Sequence, residues 1–310
     1  MSTVPVRELR SVPRLAPLYA RAVRPRRRAS GPPPRAELLV TARPDARHVR
    51  RYARVCGFAE GPWLPLTYPH VVAFPLSMAL MARRDFPYPL LGLVHVANRV
   101  ERVRPLEATE SLTYRVRLGD TVPHRRGTAF EVLAEAADPT GVVWRSASTY
   151  LHRGRPTDGA SGAPSGGGAA AGPAAHHDAA AAGPDPAAGP DEGAPDRDER
   201  WRVPAGTGRA YASATGDRNP IHLHPLTARP FGFPRAIVHG MWSKARCLAA
   251  LEDVLPPACR AEVSFRAPVP LPAHVRFTAV RAAGGHRFAL RSPDGDREHL
   301  RGLLTPADPG

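Results

Sequence analysis

Apolar and polar residues alternate with a period of two through Glu262–Arg266, His274–Val280 and His286–Arg291. That period sends successive side chains to opposite faces, so these segments are predicted strands, divided by turns at Gly284-Gly285 and Asp294-Gly295. Ahead of them the period changes. After Gly240, residues Met241, Ala245, Leu248, Ala249 and Leu255 recur at helical spacing. The same order occurs earlier in the chain. A helix is predicted over about Leu76–Arg84, then strands at Val94–Val103, Leu112–Leu118, Phe130–Ala136 and Val142–Leu151, with a turn at Asp138-Pro139-Thr140-Gly141. One helix followed by several antiparallel strands, twice over, predicts an α+β fold in which a curved sheet wraps a single helix.

The stretch between these blocks breaks the pattern. From Gly154 through Pro195 there is no aliphatic residue larger than alanine and no Phe, Trp or Tyr, and the charged run Asp196–Arg200 follows. Such a segment buries too little apolar area to offset an ordering cost of roughly 1–2 kcal/mol per residue. The expected organisation is therefore a poorly ordered basic arm over 1–35, a folded block over 36–153, a disordered linker over 154–200 and a second folded block over 201–306. The two blocks share a frame. Matching Tyr52-Ala53 to Tyr211-Ala212 sets Gly57 against Gly216 and Phe58 against Asp217. Matching Pro69 to Pro234 sets Phe74 against His239 and Pro75 against Gly240. The ionisable residues fall in the second block, which predicts chemistry there and a scaffold in the first.

Charge changes this picture little. The chain carries a net +15, but Lys244 is its one lysine, and arginine rises together with alanine, proline and glycine. That is compositional bias, and the Arg24–Arg28 cluster has no interleaved aromatics, so no nucleic-acid partner is expected. Cys56, Cys247 and Cys259 have neither metal-type nor redox-type spacing and suit reduced thiols in the cytoplasm. The first 30 residues are too interrupted by Arg and Pro for a signal peptide, and no apolar run approaches the ~18 residues of a membrane span.

The segment Tyr211–His222, reading YASATGDRNPIH, is where ionisable residues concentrate. Pro220 stops helix continuation and biases Asn219 toward an extended conformation, so Asp217 and His222 are presented from a loop. A carboxylate and an imidazole converging on one water make an acid/base pair. The alternative is a turn-closing Asp and a surface His. His239-Gly240 opens the predicted helix, where unpaired N–H groups and the positive dipole end meet, so the Gly240 amide is a candidate oxyanion donor. The spacing His222-x-His224 with His239 also raises a metal site, which lacks a fourth ligand nearby.

YASATGDRNPIHLHPLTARPFGF at Tyr211–Phe233, followed by IVHGMWS at Ile237–Ser243, resembles the MaoC-like hydratases. SFRAPVPLPAHVRF at Ser264–Phe277 adds to the likeness, and LPLTYPHVVAFPLSMALM with LVHVANRV is similar to the non-catalytic repeat of their double-hotdog members. The resemblance implies a double hotdog whose two halves pair as a pseudo-dimer, and it leaves a further homodimer open. It implies reversible hydration of trans-2-enoyl thioesters to (3R)-3-hydroxyacyl thioesters. Asp217 and His222 would activate water and Gly240 would supply the oxyanion N–H, with Asn219 and His239 beside the substrate. Coenzyme A or phosphopantetheine on a carrier protein would enter as part of the substrate, with no separate cofactor and no metal. Two other functions share the frame: a non-catalytic acyl-binding partner subunit and a hotdog thioesterase. His224 stands where the family usually has an acidic or amide residue.

Overall fold

The computed structural model describes residues 4–22, 31–154 and 194–307. Its elements run β1 (Val6–Leu9), α1 (Leu15–Ala22), β2 (Glu37–Ala42), α2 (Ala46–Cys56), α3 (Tyr68–Met81), β3 (Leu93–Arg102), β4 (Leu112–His124), β5 (Gly127–Asp138) and β6 (Gly141–Arg153). The second half runs β7 (Arg197–Val203), α4 (Thr207–Thr215), α5 (Pro225–Ala228), α6 (Gly240–Ala249), β8 (Cys259–Phe265), β9 (Ala273–Ala282), β10 (Gly285–Arg291) and β11 (Glu298–Pro306).

Among the described residues all strands join one sheet in the order β1-β2-β4-β5-β6-β3-β8-β11-β10-β9-β7. Leaving β1 aside, each half reads inward from its edge with the same relative order, β2-β4-β5-β6-β3 and β7-β9-β10-β11-β8. The halves meet where β3 pairs antiparallel with β8, from Ala97 opposite Ser264 to Arg102 opposite Cys259. A single buried lysine marks this seam. Lys244 of α6 is fully buried and donates to the carbonyls of Asn98 (3.1 Å) and Ala261 (2.9 Å) and to Asn98 Oδ1 (2.6 Å). Asn98 Nδ2 in turn donates to the Ser146 and Ser148 hydroxyls, so the polar groups at the seam satisfy one another.

The repeated helical pieces behave alike. Both α2 and α4 end at a left-handed glycine, Gly57 (φ 85°) and Gly216 (φ 77°), and the Tyr52 and Tyr211 rings lie 6.1 Å apart between them. The longer helix α3 is apolar nearly all round and lies buried beneath β2, β4 and β5, while α6 reaches across to the first half through Trp242 Nε1, which donates to the Val55 carbonyl (2.9 Å).

Three expectations need correction. The basic arm is ordered over residues 4–22: β1 pairs in parallel with β2 (Val6 opposite Glu37), and Leu18 of α1 is buried. The Arg24–Arg28 cluster lies outside the described residues. The charged run Asp196–Arg200, assigned to the linker, enters β7, an edge strand whose polar side chains form ion pairs such as Arg276–Asp198 (2.6 Å). The rest of the linker, residues 155–193, lies outside the described residues. Finally, Pro75 is not the counterpart of Gly240. Pro69 sits inside the first turn of α3, where a missing N–H costs nothing, so the helix starts early and Pro75 falls in its middle.

Candidate active site

The site grows from the end of α4. Gly216 turns the chain with positive φ, and a Cβ there would collide with Leu15 of α1. Asp217 follows. Its amide donates to Thr215 Oγ1 (3.2 Å), and its own Oδ1 accepts the Asn219 amide (3.2 Å), closing an Asx turn. Asn219 Oδ1 then accepts from the Ile221 amide (3.4 Å), leading into a 3-10 turn over Pro220–His222. The turn is tied to the strand-like approach to α6, because the Ile237 amide donates to the Ile221 carbonyl (3.0 Å).

His222 Nδ1–H donates back to the Ile237 carbonyl (2.8 Å), which fixes the tautomer and leaves Nε2 with a free lone pair. His239, the N-cap of α6, donates from Nε2 to the Asp217 carbonyl (3.0 Å), and that nitrogen stands 3.8 Å from Asp217 Oδ2. The His222 and His239 rings stack with centroids 3.7 Å apart and an interplanar angle of 28°. One donor atom from each of Asp217, His222 and His239 falls within 4.8 Å of the other two, the span of one shared water. His222 Nδ1 and His239 Nε2 are both committed to carbonyls, which leaves each ring one nitrogen for any further partner. That arrangement fits a water better than the converging ligands of a cation. His224 takes no part: its Nδ1 accepts the Leu226 amide (3.2 Å) and caps α5.

Electrostatics divide the roles. Burial, followed by the neighbouring His239, pushes His222 down to about 3, and burial likewise lowers His239, so both rings are neutral near pH 7. Burial works the other way on Asp217, raising its carboxyl. The two imidazoles and the hydrogen bonds from Tyr19 and the Asn219 amide outweigh burial and hold it below the ordinary aspartate value. The pair therefore offers an ionised carboxylate beside a neutral imidazole. Gly240 opens the ten-residue α6, and its amide lies outside the helical ladder at the positive dipole end. A Cβ on Gly240 would lie 3.1 Å from the Phe265 ring, so the ring would have to give by a few tenths of an ångström.

These groups line a cavity of about 300 Å³. The first half adds apolar lining from Phe74, Met78 and Met81 of α3 and the segment Leu90–Val94, with the polar His95, Tyr150 and Arg153 beside them. A cavity lined by both halves, with acid/base groups from the second and apolar side chains from the first, suits an acyl chain with its reactive end at Asp217 and His222.

Comparison with known proteins agrees with this geometry. The family described as MaoC like domain matches residues 192–298. The 3-hydroxyacyl-thioester dehydratase X of Mycobacterium tuberculosis is 33% identical over 256 residues, covering 83% of this chain and 84% of that protein. The chain belongs to the MaoC-like family. Enoyl-CoA hydratase ChsH3 of the same organism is 28% identical over 193 residues, covering 61% of this chain and 56% of that protein. The crystal structure of HtdX from M. tuberculosis superimposes with a TM-score of 0.71 at 29% identity, covering 87% of this chain and 100% of that one. A MaoC-like dehydratase from Phytophthora capsici shares the fold, with a TM-score of 0.68 at 19% identity over 88% of this chain and 95% of its own. The 11-stranded sheet with its repeated order is the double hotdog of this MaoC-like group.

Within the MaoC-like frame, Asp217, Asn219, His222, His239 and Gly240 all line the same cavity. Asn219 and His239 also serve the loop itself, one by shaping its turn and the other by pinning Asp217. Sequence reasoning missed three cavity residues. His95, with a buried Nε2 lacking a partner, stacks on Tyr150 at 4.6 Å, and a β-bulge after His95 on β3 sits at this point. The third is Tyr19, whose hydroxyl donates to Asp217 Oδ1 (2.7 Å) from the segment expected to be disordered. The spacing Leu15-x-x-Leu18-Tyr19 was the available signal, obscured by the surrounding Arg and Pro.

Proposed function

We propose that this chain catalyses reversible hydration of trans-2-enoyl thioesters to (3R)-3-hydroxyacyl thioesters in fatty-acid metabolism. One observation carries the reading. An ionised Asp217 and a neutral His222, with a donor atom of each and of His239 all within 4.8 Å of one another, line one cavity together with Gly240 at the start of α6. Water between the two groups attacks the β-carbon while Gly240 N–H takes up negative charge developing on the thioester oxygen. Both groups begin unprotonated, so the pair first accepts the water's proton and then delivers that proton to the α-carbon. The hydroxyl and the hydrogen thus add from the same face, and the pair returns to its starting state without an external acid.

The acyl group arrives as a thioester of coenzyme A or of a carrier-protein phosphopantetheine arm, and no further cofactor takes part. Among the described residues no helix is long and apolar enough to cross a membrane. All three cysteines are buried free thiols, which suits the cytoplasm. The internal pseudo-dimer is a complete site, and any homodimer would be added to it. Purified protein with crotonyl-CoA supplies the test. Enoyl absorbance should fall with no thiol released, and Asp217→Asn should slow the reaction roughly a hundredfold or more. Release of thiol in step with substrate loss, or near-normal hydration by Asp217→Asn, would overturn the assignment.

A further inference from the structure

The acid/base pair is held in place from outside both repeats. We propose that Tyr19, on α1, is a positioning residue for the reaction: its hydroxyl fixes the Asp217 carboxylate, committing Oδ1 to support and leaving Oδ2 to work on the water. This inference rests on the acid/base role proposed for Asp217.

Hydrogen-bond accounting carries it. The Tyr19 oxygen accepts the Arg218 amide (3.0 Å), so its one proton is directed at Asp217 Oδ1 (2.7 Å). Oδ1 also accepts the Asn219 amide (3.2 Å) and is thereby doubly engaged. Oδ2 stands 3.8 Å from His239 Nε2, beyond hydrogen-bond reach, and Asp217 lines the cavity. The support is anchored independently of the loop. β1 pairs with β2, Leu18 is buried in the main core, and Leu15 fills the space that a side chain on Gly216 would need. A carboxylate pinned at one oxygen by a charge-assisted bond keeps one orientation, which is what a base acting at a fixed point requires.

Other groups also bear on Asp217. Tyr211 of α4, Tyr150 of β6, His70 of α3 and His95 of β3 lie within electrostatic range, besides His222 and His239. Among them Tyr19 is the side chain that donates a hydrogen bond to the carboxylate. Burial and the adjoining carboxylate both raise the Tyr19 phenol, so it holds its proton throughout the working range and acts through Asp217.

The test is Tyr19→Phe, which removes the hydroxyl and keeps the ring. Losing a hydrogen bond to the charged form must raise Asp217, so the acid limb of the kcat–pH profile should move up by about one pH unit. At neutral pH kcat should fall about tenfold with KM changed less than about twofold. Carboxyl-carbon NMR of labelled aspartate gives a readout independent of activity, and the Asp217 titration should rise by the same amount. Leu18→Ala, which loosens α1 without touching the hydroxyl, separates positioning from mere packing. Loss of thermal stability with an unshifted Asp217 titration is expected, and a shift equal to that of Tyr19→Phe overturns the proposal. So does a Tyr19→Phe protein whose Asp217 titrates as in the parent, whatever its rate. If Asp217→Asn is inactive while Tyr19→Phe leaves the titration unmoved, this inference falls alone. If Asp217→Asn remains active, the acid/base reading falls and takes this one with it.

Discussion

The two halves of the sheet are built to one plan and differ where the chain passes between helices. In the first half α2 ends at Gly57, and Phe58 turns inward as a buried core residue before α3 begins at Tyr68. In the second, α4 ends at the equivalent Gly216, Asp217 follows, and a long excursion through Pro220–His222 and α5 intervenes before α6 opens at Gly240. The same left-handed glycine thus presents an apolar side chain to a core on one side and a carboxylate to a cavity on the other. The first half spends its position on packing. Its helix starts early, runs longer and leaves no amide of its first turn among the cavity-lining residues. The comparison teaches that the fold supplies the address and the inserted loop supplies the chemistry.

The sharpest way to break this comparison is to exchange roles at the paired positions. His222→Ala should lower turnover by about 10²–10⁴-fold, because it removes the free Nε2, while thermal stability changes little. Phe58→Ala in the other half should do the reverse, costing about 3–5 kcal/mol of stability as a buried aromatic is truncated, with turnover per folded molecule near the parent value. Steady-state rates normalised to folded protein, together with denaturant titrations, read both. Equal rate losses in the two variants would refute the division of labour. A smaller effect is expected at the helix start. Gly240→Ala presses a methyl against Phe265 and displaces the amide from the thioester oxygen, so kcat should fall by about 10²-fold. A wild-type kcat for Gly240→Ala would mean that the amide does not carry developing charge.

Much of the fold could be read because antiparallel strands with one covered face alternate, as Val275–Val280 does in its burial. The carboxylate and imidazole were legible too, since Gly216 immediately precedes Asp217 and Pro220 lies between it and His222, backbone constraints that any fold must obey. What escaped had no local signature. β1 has an exposed outer face and is a strand only because β2 lies beside it, and β7 hides in a charged run because edge strands favour charge. In α3 the apolar residues surround the whole helix, so no stripe marked its start, and Pro69 and Pro75 suggested breaks that burial overrides. The Leu15-x-x-Leu18-Tyr19 spacing could hint at a helix but not at what Tyr19 bonds. Its partner is 198 residues away, and no pattern within an arginine-rich arm foretells a bond of that range.

The mildest contrast concerns protons taken up on unfolding. Both halves contribute imidazoles that are at least half-buried, and the first half's His70 is pushed down to about 4, chiefly by burial and then by Lys244. Neutral when folded and protonated when unfolded, such a histidine contributes stability that is fully present above pH 6.5. That stability is lost progressively as pH falls toward 4, because over this window the unfolded chain binds the extra proton. His70→Phe removes one such proton without touching Asp217 or His222. Between pH 6.5 and 4 its unfolding free energy should therefore fall less steeply than that of the parent, by on the order of 1–2 kcal/mol over the window. Hydration at neutral pH should stay within a few-fold of the parent. Denaturant midpoints measured across that range decide the matter. An unchanged slope would mean that His70 is already protonated in the fold, and that the first half shares the second half's charge instead of only walling its cavity.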